Sequence, residues 1–205
     1  MAQAHIAHPP PAPPVSPGVP IKRLLEIGAE QAVEVIDGEM IMMSPQKWQN
    51  TRIALDLYDA LLPLVKRGNL GRLATEATYA LDVDEKRRRV SGSLVPDLSF
   101  ISRERYKEAM RVYGEQDFLR IVPDFAVEIV SPDDKYTVVN RKVELYLKHG
   151  AWLVWVIDPQ LRNARIATPD NPGGQMVDDT AILTTDPLIA GFSISLSTLI
   201  DGAEG

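Results

Sequence analysis

The hydrophobic residues of this chain follow two kinds of spacing, one typical of helices and one typical of strands. Within residues 48–66, apolar side chains recur every three or four positions, at Ile53, Leu57, Leu61, Leu64 and Val65. This spacing places them on one face and predicts a long amphipathic helix. The same spacing over shorter stretches predicts helices near residues 21–28, 103–110 and 136–149.

Continuous or alternating apolar runs predict the strands. The longer runs lie at residues 74–81, 95–101, 125–130, 153–157 and 164–168, with shorter ones near 181–184 and 192–196. Between residues 32 and 43, two apolar runs flank Asp37-Gly38, a dipeptide typical of tight turns, which predicts a β-hairpin. This order of strands and helices favours the α/β (α+β) class, with a central mixed sheet flanked by helices.

The N-terminal segment differs in composition from the rest of the chain. Proline dominates residues 8–20, and proline fits neither a helix interior nor the middle of a sheet. Residues 1–20 are therefore predicted to be a proline-rich disordered arm; the alternative is a segment that binds another protein. The remaining residues, 21–205, are enough for a single domain with a sizeable core.

Composition and charge exclude several classes of protein. The formal net charge of −6 argues against a general nucleic-acid-coating protein. Because the chain has no cysteine, any metal must be held by oxygen or histidine, and a reducing compartment is favoured. The chain has no membrane-length apolar run and no signal-peptide pattern, so a cytoplasmic protein without a membrane partner is expected. The basic cluster Lys86-Arg87-Arg88-Arg89 is interpreted as a solvated hairpin tip, the alternative being phosphate contact.

Two acidic residues interrupt apolar runs that should be strands. Glu128 is the only charged residue within residues 125–130, and Asp97 stands within the apolar run 94–101. A carboxylate in a buried strand needs a partner to offset its desolvation. If the two strands are neighbours, alternation directs both carboxylates to one face, where they can share a divalent metal. For either acid alone, a local cap or an ion pair with arginine is the simpler interpretation.

A lysine on the apolar face of the predicted helix 136–149 extends this pair. Lys142 is four residues from both Val138 and Tyr146, which directs it toward the sheet and favours a position beside Glu128. The alternative is that its ammonium reaches back to water along the apolar stem. Asp97, Glu128 and Lys142 around one point would form a phosphodiesterase site. In such a site the carboxylates hold Mg²⁺, or Mn²⁺, and the lysine orients a water or the phosphate.

At these residues the chain resembles the PD-(D/E)xK nuclease superfamily, with Pro96-Asp97 as the first element and Glu128-Ile129-Val130 as the second. Nearly everything after the arm is similar to the Uma-type family of restriction endonuclease-like proteins. The motifs that carry this similarity are, in order, Asp37-Gly38-Glu39, Met43-Ser44-Pro45, Val95-Pro96-Asp97, Val127 to Pro132, Lys142 with Tyr146, Trp155 to Pro159, and Leu183 to Phe192.

The resemblance implies a restriction-endonuclease-like fold and Mg²⁺-dependent hydrolysis of DNA. It also implies metal binding by Asp97, Glu128 and the Ile129 carbonyl, with Lys142 assisting the attack. In the superfamily a lysine follows the glutamate by two residues, and here that position is Val130, so Lys142 is implied to supply the charge from the following helix. Family members also often carry a histidine near the start of the long helix, where this chain has Gln49-Asn50. A homodimer is expected because two sites related by a two-fold axis can cut both strands.

Two other functions remain open. A catalytically inactive nuclease fold that binds nucleic acid or protein is consistent with Val130, with the absent histidine and with the acidic charge. Paired acids are also the catalytic groups of glycosidases. That chemistry gives Lys142 no required role, and the chain has few aromatic residues for a sugar-binding cleft.

Overall fold

The computed structural model describes residues 18–45, 47–114 and 118–202. In chain order the elements are β1 (Val19–Pro20), α1 (Ile21–Gly28), β2 (Val33–Ile36), β3 (Glu39–Met42), α2 (Trp48–Gly68), β4 (Gly71–Ala74), β5 (Tyr79–Asp84), β6 (Arg89–Leu94), β7 (Leu98–Ser102), α3 (Arg103–Tyr113), β8 (Phe125–Ile129), α4 (Tyr136–Lys148), β9 (Leu153–Asp158), β10 (Asn163–Thr168), β11 (Asn171–Asp178), β12 (Ile182–Thr184), β13 (Ser193–Ser195) and α5 (Leu196–Asp201).

A six-stranded mixed sheet forms the centre of the molecule, with the strand order β11-β10-β9-β8-β7-β4. Strands β8 and β9 are parallel, whereas the other neighbouring strands are antiparallel. Every residue of β8 is buried, as expected for a strand that is covered on both faces. The predicted mixed central sheet flanked by helices is confirmed.

A second sheet, which was not predicted, has the order β1-β6-β2-β3, with β5 also paired to β6. Its strand β6 carries Ser91-Gly92-Ser93 in place of an apolar run, so the sequence gives no strand signal there. The edge strand β11 was missed for a similar reason, because most of its residues are exposed. The predicted strand 74–81 is in fact two strands, since β4 ends at Ala74 and β5 begins at Tyr79.

The two faces of the central sheet are covered by different layers. One face packs against α2 and α5, in a core that includes Ile53, Leu57, Val127, Trp155 and Leu199. The other face packs against α4 and the second sheet, in a core that includes Ile36, Leu94, Ala126, Val143 and Val154. Because side chains alternate along β8, Glu128 lies on the same face as Ala126 and is directed toward α4.

Local sequence signals account well for the helices and the tight turns. The hairpin of β2 and β3 turns at Asp37-Gly38, where Asp37 has a φ of 52°. Helices α1, α2 and α4 lie within two residues of the predicted ends. The basic cluster forms the tip between β5 and β6, as predicted, and Arg87 pairs there with Asp84.

Only the end of the predicted arm falls within the described residues. Val19 and Pro20 pair with Val90 and Arg89 of β6, so this end is part of a sheet rather than of a disordered arm. Residues 1–17, on which the rest of that prediction falls, lie outside the described residues. None of the described helices combines the length and the apolar character needed to cross a membrane.

Candidate active site

The register of the central sheet brings the two predicted acids together. Leu98 of β7 lies opposite Val127 of β8, so Asp97, one residue before β7, comes opposite Glu128. Opposite residues of an antiparallel pair point to the same face. The Asp97 Oδ2 atom accepts a hydrogen bond of 2.6 Å from the Ile129 N–H. Both acids are buried, with Asp97 8% exposed and Glu128 6% exposed.

Two side chains of α4 bind the Glu128 carboxylate. The Lys142 ammonium donates to Oε2, and the Tyr146 hydroxyl donates to Oε1 over 2.7 Å. Because Lys142 and Tyr146 are one helical turn apart, they reach the same carboxylate from one face of the helix. Lys142 is only 5% exposed. The predicted inward direction of Lys142 is therefore confirmed.

A third acid, Glu34 of β2, joins the cluster and was missed by the sequence analysis. Its Oε1 atom accepts from the Lys142 Nζ atom at 2.9 Å and from the Val95 N–H at 2.8 Å. Glu34 stands between Val33 and Val35 in a strand whose residues are all buried. The one available signal was therefore the same as for Glu128, a single acid among apolar neighbours.

The last carbonyl of β8 is held by the long helix α2. The side-chain amide of Asn50 donates to the Ile129 carbonyl over 2.9 Å and to the Ser131 Oγ atom over 2.8 Å. Asn50 is buried, and it belongs to the Gln49-Asn50 segment at the start of the long helix, which the sequence analysis singled out. A carbonyl oxygen has two lone pairs, so that of Ile129 retains one for a further partner.

A cleft of about 390 Å³ is lined by Glu34, Asp97, Glu128, Ile129 and Lys142. The end of β3 and the loop after it form one side of the cleft, and the connection from β8 to α4 forms the other. The exposed residues Asp133 and Lys135 stand at its rim. Lys47, before α2, pairs with Asp133 at 3.4 Å. The buried acids and Lys142 are therefore reached from solvent through this cleft.

The cluster holds more negative than positive charge. Glu34, Asp97 and Glu128 supply three carboxylates, and the Lys142 ammonium is bound by two of them. Burial raises the pKa of Glu128 to about 8; Lys142 opposes this shift, and the charges of Glu34 and Asp97 add to it. An added cation would relieve this excess of negative charge.

Lys142 is protonated near neutral pH. Burial favours its neutral form, but the carboxylates of Glu128 and Glu34 outweigh burial and hold the pKa of Lys142 above its ordinary value. Burial, together with the charge of Glu128, also raises the pKa of the Tyr146 hydroxyl. Both groups are therefore hydrogen-bond donors to Glu128, and neither is suited to act as a general base.

The donor set at this cleft fits a hard divalent cation. No group of three or more Asp, Glu or His side chains in the described part of the chain forms a complete metal site. However, Mg²⁺ is commonly bound by one or two carboxylates and keeps several of its waters. The carboxylates of Asp97 and Glu128 with the carbonyl of Ile129 therefore fit a partly hydrated ion, and the excess negative charge favours one.

Comparison with known proteins identifies the family. A family model matches residues 21–197, most of the chain; it is that of Uma2, described as "Putative restriction endonuclease". The chain belongs to the Uma2 family. A search of curated proteins found no match. Among solved structures, a similar fold is that of "a putative nuclease belonging to DUF820" from Anabaena variabilis. It is 21% identical, the match covers 89% of this chain and 98% of that chain, and the TM-score is 0.72.

Membership in Uma2 confirms the recognition made from the motifs, and the shared fold agrees with the predicted class. In this Uma2 protein Asp97, Glu128, Ile129 and Lys142 lie together at one cleft, while their chemical roles stay predictions. Val130, at the position of the superfamily lysine, packs in the core beside α4, so the ammonium at the cleft comes from the helix. The homodimer, the cytoplasmic location and a protein partner for the arm also stay predictions.

Proposed function

We propose that this Uma2 protein is a metal-dependent endonuclease that hydrolyses phosphodiester bonds in DNA. The observation that carries the proposal is the Lys142 ammonium, buried and bound to Glu128 beside Asp97 in an open cleft. A buried ion pair is expensive to desolvate and is often no more stable than apolar residues of similar volume. The cluster is therefore better explained by chemistry at the cleft than by stabilisation of the fold.

The residues of the cluster have distinct roles in this proposal. Asp97, Glu128 and the Ile129 carbonyl hold Mg²⁺ or Mn²⁺. The bound ion supplies a water of lowered pKa and offsets the charge of the phosphate. An ammonium has three N–H donors. Two donors of Lys142 bind the carboxylates of Glu34 and Glu128, which leaves one for a phosphate oxygen. Tyr146 fixes the other oxygen of Glu128 and so keeps the carboxylate in one orientation.

The rim of the cleft favours a phosphate-bearing substrate. Lys47 and Lys135 occupy the positions just before α2 and α4, and neither helix has an acidic residue in its first turn. The N-terminus of a helix favours anions. Lys135 adds a positive charge at the rim of the cleft, whereas the charge of Lys47 is paired with Asp133. On a chain with a net charge of −6, this local arrangement favours contact with DNA at the cleft rather than over the whole surface.

Cleavage assays test the proposal directly. Supercoiled plasmid and single-stranded DNA are incubated with purified protein in Mg²⁺, in Mn²⁺ or in EDTA. Wild type should cut in metal and not in EDTA, and Asp97→Asn, Glu128→Gln and Lys142→Met should each lose roughly 100-fold or more in rate. Asp201→Asn, which removes a surface acid outside the cleft, is the matched control and should cut at the wild-type rate. Full activity in both Asp97→Asn and Glu128→Gln would refute the proposal.

A binding module without cleavage is the second candidate. It is favoured by one observation: both oxygens of Glu128 and the carbonyl of Ile129 already accept hydrogen bonds within the protein. Calorimetric titration separates the two functions. Heat of Mn²⁺ binding that disappears in Asp97→Asn supports the nuclease, whereas DNA binding without any Mn²⁺ binding supports the module.

A further inference from the structure

We infer that Glu34 is a positioning residue of the reaction: it shares the Lys142 ammonium with Glu128 and so keeps Glu128 available to the cation. The inference rests on the proposed function. Glu34 is 2% exposed, and a carboxylate at that depth requires strong hydrogen-bond partners. Its two partners, Lys142 and the Val95 N–H, both belong to segments that build the cleft.

The first bond sets where the ammonium lies. Lys142 is 2.9 Å from Glu34 and is also bonded to Glu128, so its charge is divided between carboxylates from two different sheets. In a one-to-one pair the ammonium would settle on Glu128 and compete with the cation for the same oxygens. Because Glu34 binds one N–H of this ammonium, Lys142 has fewer donors left for Glu128, and the Glu128 oxygens keep a lone pair for the cation.

The second bond reaches the backbone that carries Asp97. Val95 lies two residues before Asp97, in the connection between β6 and β7, and its N–H donates to the same oxygen of Glu34 that contacts Lys142. One atom of Glu34 is therefore bonded both to the helix cation and to the segment that leads to the strand acid. Groups that orient metal ligands in this way typically matter 10- to 100-fold in metal affinity.

The test is Glu34→Gln, which keeps the size of the side chain and an acceptor for the Val95 N–H but removes the charge that attracts Lys142. The affinity for Mn²⁺, measured by calorimetry, should fall about tenfold. The kcat for plasmid cleavage should fall about tenfold or more, with KM within about twofold of wild type. Glu144→Gln is the matched control: Glu144 pairs with Arg141 of α4 at an exposed site and should leave the Mn²⁺ affinity unchanged.

A double variant distinguishes a positioning role from a merely structural one. If Glu34 acts through Lys142, then adding Glu34→Gln to Lys142→Met should not lower the Mn²⁺ affinity further. A further tenfold loss in the double variant, or wild-type Mn²⁺ affinity in Glu34→Gln alone, would overturn the inference. If Glu34→Gln does not fold, Glu34→Asp, which draws the carboxylate away from Lys142 by one methylene, should bind Mn²⁺ more weakly than wild type; wild-type Mn²⁺ affinity in Glu34→Asp would overturn the inference.

The two proposals fail in distinguishable ways. Wild-type protein that binds no Mn²⁺ and cuts no DNA would remove the proposed function and this inference together. Wild-type protein that binds Mn²⁺ and cuts DNA, with a Glu34→Gln variant that does both equally well, would remove the inference alone.

Discussion

Two clusters in this molecule have the same composition, one cation between two acids, but opposite surroundings. They are Lys142 with Glu34 and Glu128, and Arg162 with Asp179 and Asp201. Counting side-chain atoms alone, the exposed fractions are 6% for Lys142, 3% for Glu34 and 8% for Glu128. In the second cluster they are 42% for Arg162, 29% for Asp179 and 57% for Asp201. The number of ion pairs therefore says little by itself, and their surroundings decide what they do.

The exposed cluster has an ordinary structural explanation. Arg162 lies in the turn between β9 and β10, and its guanidinium binds both oxygens of Asp201 at 2.7 and 3.0 Å. This contact ties the turn to α5. Water and salt screen such a pair, and surface pairs of this kind contribute little to stability.

The buried cluster has no comparable structural explanation, because burial of its charges is costly. It contains lysine rather than arginine, a compact cation whose free N–H can still point at a ligand. It also lies at an open cleft, which a purely structural ion pair does not require. This contrast makes the buried cluster the candidate for chemistry and leaves the exposed one as its control.

The largest effect is expected from removal of the buried cation. Lys142→Met leaves the carboxylates of Glu34 and Glu128 facing each other without their partner, so the free energy of unfolding should fall by about 3 kcal/mol near pH 8, as for other broken buried pairs. DNA cleavage should be lost as well. Urea denaturation and the plasmid assay measure the two losses, with Arg162→Met as the matched variant of the exposed cluster. Equal losses in the two variants would remove the distinction between the clusters.

Three of the four residues in and around the buried cluster were predictable from the sequence because each breaks a local pattern. Asp97 and Glu128 interrupt apolar runs, and Lys142 interrupts the apolar face of a helix. Their neighbours in the chain are enough to show that each is out of place. Glu34 also interrupts an apolar run, but Val33-Glu34-Val35 equally fits a half-exposed strand with Glu34 in water.

The burial of Glu34 depends on contacts between segments that are distant in the chain. Strand β2 is covered because β6 pairs beside it through Val35 and Ser93. The sequence of β6 contains no apolar run that would predict a strand. The second sheet thus arises from pairings that local spacing does not encode, and strand formation depends strongly on such context. For the same reason, the sequence predicted the centre of the fold, where strands and α4 follow one another closely, better than it predicted the second sheet.

A pH titration of the metal-free protein sharpens the comparison. The pKa of Glu128 is raised to about 8 from an ordinary 4.5. The carboxyl of Glu128 therefore keeps its proton in the folded state over a pH range in which it loses that proton in the unfolded state. The free energy of unfolding should therefore fall as the pH rises from about 5 to 8, because the folded state binds more protons. Urea denaturation in EDTA at several pH values measures this slope. Glu128→Gln should lack this contribution; parallel wild-type and variant curves would contradict the expectation.

Divalent metal should stabilise the buried cluster and leave the exposed one unaffected. Saturation at 100 times Kd adds about 2.7 kcal/mol to the free energy of unfolding of a protein that binds only when folded. Wild type and Asp201→Asn should both show this increase with Mn²⁺, and Asp97→Asn should not. The increase should be larger at pH 8.5 than at pH 6, since the proton on Glu128 must leave before metal binds. Differential scanning fluorimetry over a range of Mn²⁺ concentrations measures the shift, and stabilisation of Asp97→Asn equal to that of wild type would place the metal elsewhere.

The smallest effect on stability is expected at the exposed cluster. Its contribution to the free energy of unfolding should change with pH in the direction opposite to that of Glu128. The hydrogen bonds from Arg162 lower the pKa of Asp201, so its contribution to stability is present above the ordinary pKa and is lost as the pH falls below it. Wild type should be slightly more stable than Asp201→Asn at neutral pH, and the difference should shrink as the pH falls below the ordinary pKa of an aspartate. It should also vanish in roughly 1 M salt, where surface charges are screened within about 3 Å. The loss caused by Lys142→Met should persist in the same salt, because water and ions do not reach the buried ammonium. A difference at Asp201 that survived high salt would mean that this pair is shielded like the buried one, and exposure would then no longer separate the two clusters.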